Sequence, residues 1–259
     1  MSDRGSAGLR ACLAARETVI GSFVNLGFSL TTEIMGLAGF DWLVIDLEHG
    51  AGSEQQLAGQ LQALGRTGVT PLVRIESIEA ARVLHALDAG ADGVLVPRLR
   101  SADDARQVVS YCRYDGGRGV ARYNRSWHWG LRGGTLAEVD DAVICAVQIE
   151  TAEALDAVSE IAAVDGVDIV FVGPSDLAHA LELDGPPDAP ELMVRVAAVA
   201  QAAREHGKAA GVLVGTVEQA IRYQEAGFTF LGCGSDSGLL ALRARGVADE
   251  LRAASAAQA

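Results

Sequence analysis

The sequence is poor in lysine, in aromatic residues and in positive charge. Its 259 residues include one lysine, Lys208, and 5% aromatic residues, and 34 acidic side chains outnumber 21 basic ones for a net charge of −13. So acidic a chain is unsuited to nucleic acid or an anionic membrane surface, because both carry negative charge. A Schiff-base mechanism needs a lysine in the site, and the sequence offers a single candidate for it.

Long apolar runs and paired cysteines are also missing. No apolar run approaches the roughly 18 residues of a membrane-spanning helix. The N-terminal stretch contains arginines but lacks the apolar segment of a secretory signal. Four widely separated cysteines show no metal-ligand spacing, and we expect them to be reduced core residues: Cys12, Cys112, Cys145 and Cys233. We therefore predict a cytoplasmic protein.

Hydrophobic residues, 49% of the chain, form short strand-like runs separated by segments of helical periodicity. The runs predict strands at residues 19–25, 42–45, 70–75, 93–96, 143–149, 168–172, 209–214 and 228–231. Eight β/α units in about 250 residues match a TIM barrel. A doubly wound open sheet is the alternative, although no Gly-x-Gly-x-x-Gly motif follows the first strand. No linker divides the chain, so we expect one domain over residues 1–259.

Local signals mark the ends of the helices. Capping-box spacings occur at Ser53 with Gln56, Ser101 with Asp104, and Thr216 with Gln219. Thr151 is the expected N-cap of a helix that connects the fifth and sixth strands. Glycines that favour a left-handed turn follow four other helices, at Gly39, Gly68, Gly90 and Gly227. In a barrel these turns lie at the amino ends of the strands, and so does Lys208, which argues against a Schiff base.

Two carboxylates follow neighbouring strands of the predicted barrel. Glu150 comes directly after the fifth strand and Asp176 shortly after the sixth. Parallel neighbouring strands end at the same edge, so both acids should lie there. Two close carboxylates repel each other unless a proton or a cation lies between them. With only two protein acids and open positions for water and substrate, the pattern favours Mg²⁺, Mn²⁺ or Co²⁺ over a structural Zn²⁺.

A histidine and an arginine follow other strands at the same edge. His49 comes after Asp46, and a carboxylate beside an imidazole can make it a stronger base; the alternative is an ordinary turn histidine. Arg74 ends an apolar strand and could stabilise a carboxylate or an enolate oxygen; the alternative is a structural salt bridge. Gly173-Pro174-Ser175 could present backbone N–H groups to an anion, or could simply begin a helix.

One connection is unusually long. Residues 113–141 lack clear periodicity and contain two tryptophans, several glycines and the arginines Arg118, Arg122 and Arg125. Such a loop in a compact domain is usually functional or part of a subunit interface. Its arginines could also face an anionic distal group of a substrate.

Several motifs together resemble the HpcH/HpaI aldolases, the metal-dependent pyruvate aldolases. They are DWLVIDLEHG, PLVRI, LDAGADGVLVP, VQIE, VGPSDLA and GCGSDSGLL, in the family's order over roughly residues 17–245. The resemblance implies a TIM barrel of the phosphoenolpyruvate/pyruvate type. It also implies a carbon–carbon lyase that reversibly cleaves a 4-hydroxy-2-oxo acid to pyruvate or hydroxypyruvate and an aldehyde or semialdehyde, through a metal-stabilised enolate.

The same resemblance implies roles for individual residues. Glu150 and Asp176 would bind the divalent metal, His49 would be the base assisted by Asp46, and Arg74 would stabilise the enolate oxygen. Pyruvate would be held by a set of five residues: Gln148, Gly173, Pro174, Ser175 and Leu213.

Assembly is implied as well. Asp88 matches an acid that, in the family, reaches a neighbouring subunit's site and increases the basicity of the histidine there. A homohexamer, a trimer of dimers, would exchange the C-terminal segment from Ser237 onwards between subunits. The chain departs from the family in its long loop, which lacks the usual Tyr-Pro-Pro segment, and this departure bears on the identity of the substrate.

Three other functions stay open from the sequence. An enolate could also arise by decarboxylation of oxaloacetate, or in a lyase of the citrate lyase β type that acts on a CoA thioester. A barrel that binds metal and pyruvate without turnover is the alternative that is not an enzyme.

Overall fold

A closed barrel of eight parallel strands forms the centre of the chain in the computed structural model, which describes residues 6–257. The strands pair in chain order, and β8 returns to β1. They are β1 Val19–Val24, β2 Trp42–Asp46, β3 Thr70–Arg74, β4 Gly93–Val96, β5 Ile144–Ile149, β6 Ile169–Val172, β7 Ala209–Val214 and β8 Phe230–Ser235. The predicted fold class is confirmed. The last strand begins later than predicted, because its pairing with β1 starts at Phe230. It also ends later, because its polar end continues that pairing to Ser235.

Helices surround the barrel. They are α1 Ser6–Ala14, α2 Ser29–Leu37, α3 Glu54–Leu64, α4 Ala80–Asp88, α5 Ala102–Cys112, α6 Leu136–Ala142, α7 Ala152–Asp156, α8 Val158–Ala162, α9 Pro174–Ala180, α10 Pro190–Glu205, α11 Val217–Glu225 and α12 Asp236–Ala256. A 3₁₀ helix spans Arg125–Gly130. The helix predicted after Thr151 is capped by that residue but is interrupted at Ala157, where α7 ends and α8 begins.

Side chains alternate along each strand between two hydrophobic clusters. One set points into the barrel and includes Trp42, Phe171 and Phe230, while the neighbouring positions pack outward against the helices. Leu9 of α1 belongs to the inner cluster, and Arg10 bonds Asp168 just before β6. Helix α1 therefore closes the amino end of the barrel and leaves the carboxyl end for the site.

The predicted turn and cap signals are confirmed. Gly39, Gly68, Gly90 and Gly227 have φ values of 97°, 76°, 96° and 98°, which belong to the left-handed region. All three capping boxes are formed, at Ser53, Ser101 and Thr216. Glycine turns and capping boxes fix where these helices end and begin. The positions of the neighbouring strand ends are therefore set in part by residues close to them in the sequence.

The long connection lies at the amino end of the barrel. Arg125 packs over Gly90 and donates to the Leu61 carbonyl, and Trp127 is fully buried with its indole N–H on the Tyr114 hydroxyl. Residues 113–141 thus lie opposite the acids that follow the strands. Within one chain their arginines do not face that site.

The two ends of the chain are described in part. Residues 1–5, where we expected no secretory signal, and residues 258–259, the last two of the predicted domain, lie outside the described residues. Between Ser6 and Ala257, no helix has both the length and the apolar character needed to cross a membrane. The C-terminal segment forms α12, in which Asp236 is buried and the rest of the described side chains are half-buried or exposed.

Replacing Gly21 with alanine should destabilise the barrel. Gly21 pairs with Trp42 across β1 and β2, and a Cβ at Gly21 would overlap the Trp42 ring, which stacks on Phe230 at a centroid distance of 4.0 Å. We expect Gly21→Ala to lower the free energy of unfolding by about 1–3 kcal/mol, measured by chemical denaturation.

Gly59→Ala is the matched control. Gly59 lies within α3, and a Cβ added there would meet no described atom within 4 Å. Alanine should stabilise the helix at this position by about 0.5–1 kcal/mol. Equal effects of the two substitutions would contradict the packing argument at Gly21.

Candidate active site at the carboxyl ends of the strands

The polar residues predicted from the sequence are brought together at the ends of four barrel strands. Asp46 ends β2 and Arg74 ends β3, while Gln148 and Glu150 lie at the end of β5, and Asp176 is in the first turn of α9 after β6. Because the strands are parallel and the sheet is closed, these side chains share one rim of the barrel.

A buried ion pair joins the ends of β2 and β3. Arg74 donates from Nε to Asp46 Oδ1 at 2.9 Å and from Nη2 to Asp46 Oδ2 at 2.7 Å. Burial alone would lower the pKa of Arg74, but the hydrogen bond and charge of Asp46, together with the charges of Glu48 and Glu150, outweigh it, so the pKa is raised. The guanidinium also lies over the Phe23 ring at 5.1 Å. Arg74 is therefore a fixed positive charge at the rim.

Asp46 also shapes the turn that carries His49. Its Oδ1 accepts the backbone N–H groups of Glu48 at 3.0 Å and His49 at 3.2 Å. The imidazole is 63% exposed, and its Nε2 is 3.9 Å from Glu48 Oε2, too far for a hydrogen bond. Within the described part of the chain, Asp46 thus supports the backbone of His49 rather than its ring, which differs from the direct contact expected from the sequence.

Glu48 and Arg98 were missed as site residues. The Glu48 side chain is 5% exposed and lies 3.3 Å from Arg74 Nη1 and 3.1 Å from Arg98 Nη2. Arg98 has a φ of 63°, unusual for a residue with a Cβ, and its N–H donates to Glu150 Oε1 at 2.7 Å. The signal that could have found them is that each charged residue closely follows a buried strand, much as Arg74 ends one.

Glu150 is the most perturbed acid of the rim. Burial, followed by the negative charges of Glu48 and Asp176, raises its pKa from 4.5 to about 7 even though the Arg98 N–H and Arg74 oppose the shift. Proton or cation binding would relieve this crowding of negative charge. The acid is therefore poised to hold a positive partner, and metal binding by Glu150 and Asp176 stays a prediction.

The neighbouring groups fit an oxygen-coordinated divalent cation. Gln148 is buried, and its Oε1 has no hydrogen-bond partner among the described residues. A Cβ at Gly173 would come within 2.7 Å of Gln148 Nε2 and 2.9 Å of Glu150 Oε2, so glycine leaves this space open. No group of three or more His, Cys, Asp or Glu residues that could hold a metal occurs between residues 6 and 257. The set of two acids with a nearby amide oxygen suits Mg²⁺ or Mn²⁺.

The other residues predicted to bind substrate differ in their exposure and in their hydrogen bonding. Pro174 is buried at the start of α9, whereas Ser175 and Asp176 are exposed. The Gly173 N–H already donates to the Ile149 carbonyl at 3.2 Å, so it is engaged in the sheet instead of facing an anion. Leu213 is half-buried in the barrel interior on β7.

Asp88 is not brought to this rim. It ends α4 at the amino end of the barrel, where it accepts a hydrogen bond from Arg118 Nη2 at 2.8 Å. The Arg118 side chain is 1% exposed and stacks on Tyr114 at 4.6 Å. Asp88 can therefore act on a site of this kind only in another subunit, and its role stays a prediction.

The fold and the rim define a TIM-barrel protein whose polar site lies at the carboxyl ends of its strands. Sequence comparison identifies the family: the HpcH/HpaI aldolase/citrate lyase family matches residues 20–242. The chain belongs to this family, whose two namesake activities both belong to carbon–carbon lyases. Three predictions made from the sequence are confirmed: the chain belongs to this family, it is a carbon–carbon lyase, and its reaction is that of an aldolase.

Individual relatives agree with this assignment. A 5-keto-4-deoxy-D-glucarate aldolase of Klebsiella pneumoniae is 38% identical over 245 residues, covering 94% of this chain and 96% of the relative. The crystal structure of a family protein from Burkholderia cenocepacia matches with a TM-score of 0.90 at 34% identity, covering 94% of this chain and 98% of the other.

A more distant structure contains a metal. The citrate lyase β subunit of M. tuberculosis, complexed with oxaloacetate and magnesium, matches with a TM-score of 0.56 at 20% identity, covering 88% of this chain and 95% of the other. At that identity the likeness is one of fold.

Glu150→Gln should change how stability depends on pH in protein freed of metal by a chelator. The pKa of Glu150, about 7 in the folded protein, lies above its ordinary value of 4.5. Its contribution to stability is therefore complete below pH 4.5 and is lost as the pH rises through about 7. We expect the wild type to lose more stability than Glu150→Gln across this window, measured by denaturation at each pH. Parallel curves would show that Glu150 ionises normally.

Proposed function

We propose that this protein reversibly cleaves a 4-hydroxy-2-oxo acid to pyruvate and an aldehyde, with a divalent metal, Mg²⁺, Mn²⁺ or Co²⁺, at Glu150 and Asp176. The observation that carries the proposal is the state of Glu150, a buried acid whose pKa is raised by burial and by Glu48 and Asp176. The side chains of Gln148 and Glu150 both border the space at Gly173, and the Gln148 Oε1 atom has no hydrogen-bond partner among the described residues. Such a site would be stabilised by a cation and by the oxygens of a 2-oxo acid.

The proposed substrate follows from the relatives. 5-Keto-4-deoxy-D-glucarate, the substrate in the name of the Klebsiella relative, is a 4-hydroxy-2-oxo acid when it is numbered from its keto end. It carries a second carboxylate at the far end. We propose it as the first compound to test, and pyruvate release from oxaloacetate as the comparison that would reveal a decarboxylase.

Arg74 would stabilise the negative charge that develops on the 2-oxo oxygen as the C3–C4 bond breaks. Lewis-acid polarisation of that oxygen is the chemistry that a divalent cation supplies at such a site. Asp46 holds the guanidinium through two oxygens, so its position is set before the substrate arrives. Gln148, Pro174 and Ser175, with Gly173 and Leu213, would enclose the pyruvate half.

His49 would accept the proton of the 4-hydroxyl group. Its ring is exposed at the rim while its backbone is held by Asp46, so the imidazole can meet a bound substrate from the open side. In the direction of synthesis the same imidazole would return the proton to the new hydroxyl. This role needs no change in the buried ion pair.

We further propose that the chain is a single domain that assembles as a homohexamer, with Asp88 contributing to a neighbouring site. Large apolar side chains exposed on α2 and α12 support an assembly, because water-exposed apolar surface on this scale usually marks a contact. They include Leu30, Ile34, Leu37, Leu240 and Leu242. The exchange of the segment from Ser237 onwards would bury those of α12.

Removing divalent metal should abolish cleavage. After dialysis against EDTA, we expect pyruvate release from 5-keto-4-deoxy-D-glucarate to stop, and Mg²⁺, Mn²⁺ or Co²⁺ to restore it, because the acids at residues 150 and 176 would no longer hold a cation. Circular dichroism controls for loss of fold. Full activity in chelator-treated, metal-free protein would contradict the proposed role of the metal.

His49→Ala should lower kcat for cleavage by about 100-fold or more while leaving stability nearly unchanged, since the ring is exposed and a positioned base commonly contributes this much. The measurement is steady-state pyruvate release together with the melting temperature. His85→Ala is the matched control, because His85 is also exposed, at 56%, and pairs with Glu54, and neither residue belongs to the proposed site. Comparable activity in the two variants would remove His49 from the mechanism.

A further inference from the structure

Arg98 occupies an unusual position beside the proposed reaction centre. It follows β4, and its N–H donates to Glu150 Oε1 at 2.7 Å, which places its backbone next to a proposed metal ligand. Its φ of 63° is a conformation that residues with a Cβ rarely adopt. Its side chain is nevertheless 65% exposed. The residue thus combines a backbone fixed at the buried end of the site with a guanidinium at the open end.

The guanidinium of Arg98 is bound less completely than that of Arg74. Both its Nε and its Nη2 lie 3.1 Å from the same oxygen, Glu48 Oε1. Arg74, by contrast, places two nitrogens on the two oxygens of Asp46. A guanidinium fork matches the two oxygens of a carboxylate, so Arg98 retains the capacity to bind one in that geometry.

Release of Arg98 would not leave Glu48 without a cation. Glu48 Oε2 lies 3.3 Å from Arg74 Nη1, and this contact does not involve Arg98. The Arg98 side of the pair is open to water, since its side chain is 65% exposed whereas that of Glu48 is 5% exposed, and screening by water and salt weakens the pair there. Exchange of Glu48 for another carboxylate at Arg98 is therefore energetically accessible.

The negative charge of the rim explains why an anionic substrate would need Arg98 to exchange Glu48 for a substrate carboxylate. Asp46, Glu48, Glu150 and Asp176 make this end of the barrel acidic, and Arg74 is engaged by two of these acids. A substrate that carries a second negative group would be repelled at the open side unless a cation met it there. The Arg98 side chain is a cation exposed on that side.

We infer that Arg98 is a specificity-determining residue, whose guanidinium leaves Glu48 and binds an anionic group at the end of the substrate furthest from the 2-oxo acid. The inference rests on the proposed function for the buried end of the site. It assigns Arg98 to binding and discrimination, with no part in breaking the C3–C4 bond.

A pair of 2-oxo acids of equal length tests this assignment without knowledge of the aldehyde. 2-Oxoglutarate and 2-oxopentanoate share the 2-oxo acid end and differ in a terminal carboxylate. Each would be measured as a competitive inhibitor of the exchange of pyruvate C3 protons with solvent deuterium, which reports enolate formation by NMR. We expect 2-oxoglutarate to bind the wild type about 10- to 100-fold more tightly, since one charge-assisted interaction contributes that much.

Substitutions then locate the effect. Arg98→Met should reduce the preference to within about threefold, with both inhibition constants measured against that variant's own rate of pyruvate exchange, and Arg98→Lys should keep part of it. Arg100→Met is the matched control, since Arg100 is exposed on the same connection, and it should retain the wild-type preference. A preference unchanged in Arg98→Met, or an equal loss of affinity for both acids, would overturn the inference.

The outcome also separates this inference from the proposed function. No exchange of pyruvate protons by the wild type with any of the three metals would overturn the proposed function. The two oxo acids would then be compared by calorimetry with the same variants. Failure of the wild type to distinguish them there would overturn the assignment of Arg98 as well.

Discussion

The buried pair of Asp46 and Arg74 is the interaction on which the site depends. The two residues are partners in the register of β2 and β3, so their side chains leave the sheet side by side at the rim. Asp46 holds the guanidinium with both oxygens and also accepts the N–H groups of the turn that carries His49. One carboxylate thereby sets the position of a positive charge and of a candidate base. Loss of Arg74 would leave the buried Asp46 carboxylate without this cation, and breaking a buried ion pair in this way costs about 3–5 kcal/mol in known cases.

Further acidic and basic residues alternate outward from this pair. Glu48 lies between Arg74 and Arg98, and Arg98 in turn holds Glu150 through its backbone N–H. The acids exceed the cations at the rim, and the pKa of Glu150 is raised first by burial and then by the negative charges of Glu48 and Asp176. A divalent cation would correct the imbalance. The excess of negative charge at the rim would therefore favour binding of the divalent cation on which the proposed chemistry depends.

The closed barrel separates the two ends of the molecule functionally. All strands run in one direction, so residues after strands gather at one rim, and the turns before strands gather at the other with α1, Asp88 and Arg118. The long connection belongs to the second end because it joins a helix to the start of β5. Its distance from the acids of its own chain follows from topology alone. Any contribution from this end to a reaction requires a second copy of the chain.

Much of this architecture was predictable from the sequence because it is written in local patterns. Short apolar runs marked the eight strands, capping boxes marked α3, α5 and α11, and glycines marked the left-handed turns. The polar residues after β2, β3, β5 and β6 followed from the rule that parallel strands end at one rim. The single lysine already argued against a Schiff base, and the structure places it directly before β7.

Tertiary structure decided what each polar residue touches, because these contacts join positions far apart in the chain. Asp46 reaches the backbone of His49 and the side chain of Arg74, but not the imidazole that the sequence suggested. Glu48 and Arg98 lie 50 residues apart and meet only when β2 and β4 lie close together in the closed barrel. The left-handed backbone of Arg98 carries no residue signature, since glycine or asparagine would be usual there. The helices and strands were thus determined by local sequence, whereas closure of the barrel determined which charged side chains meet.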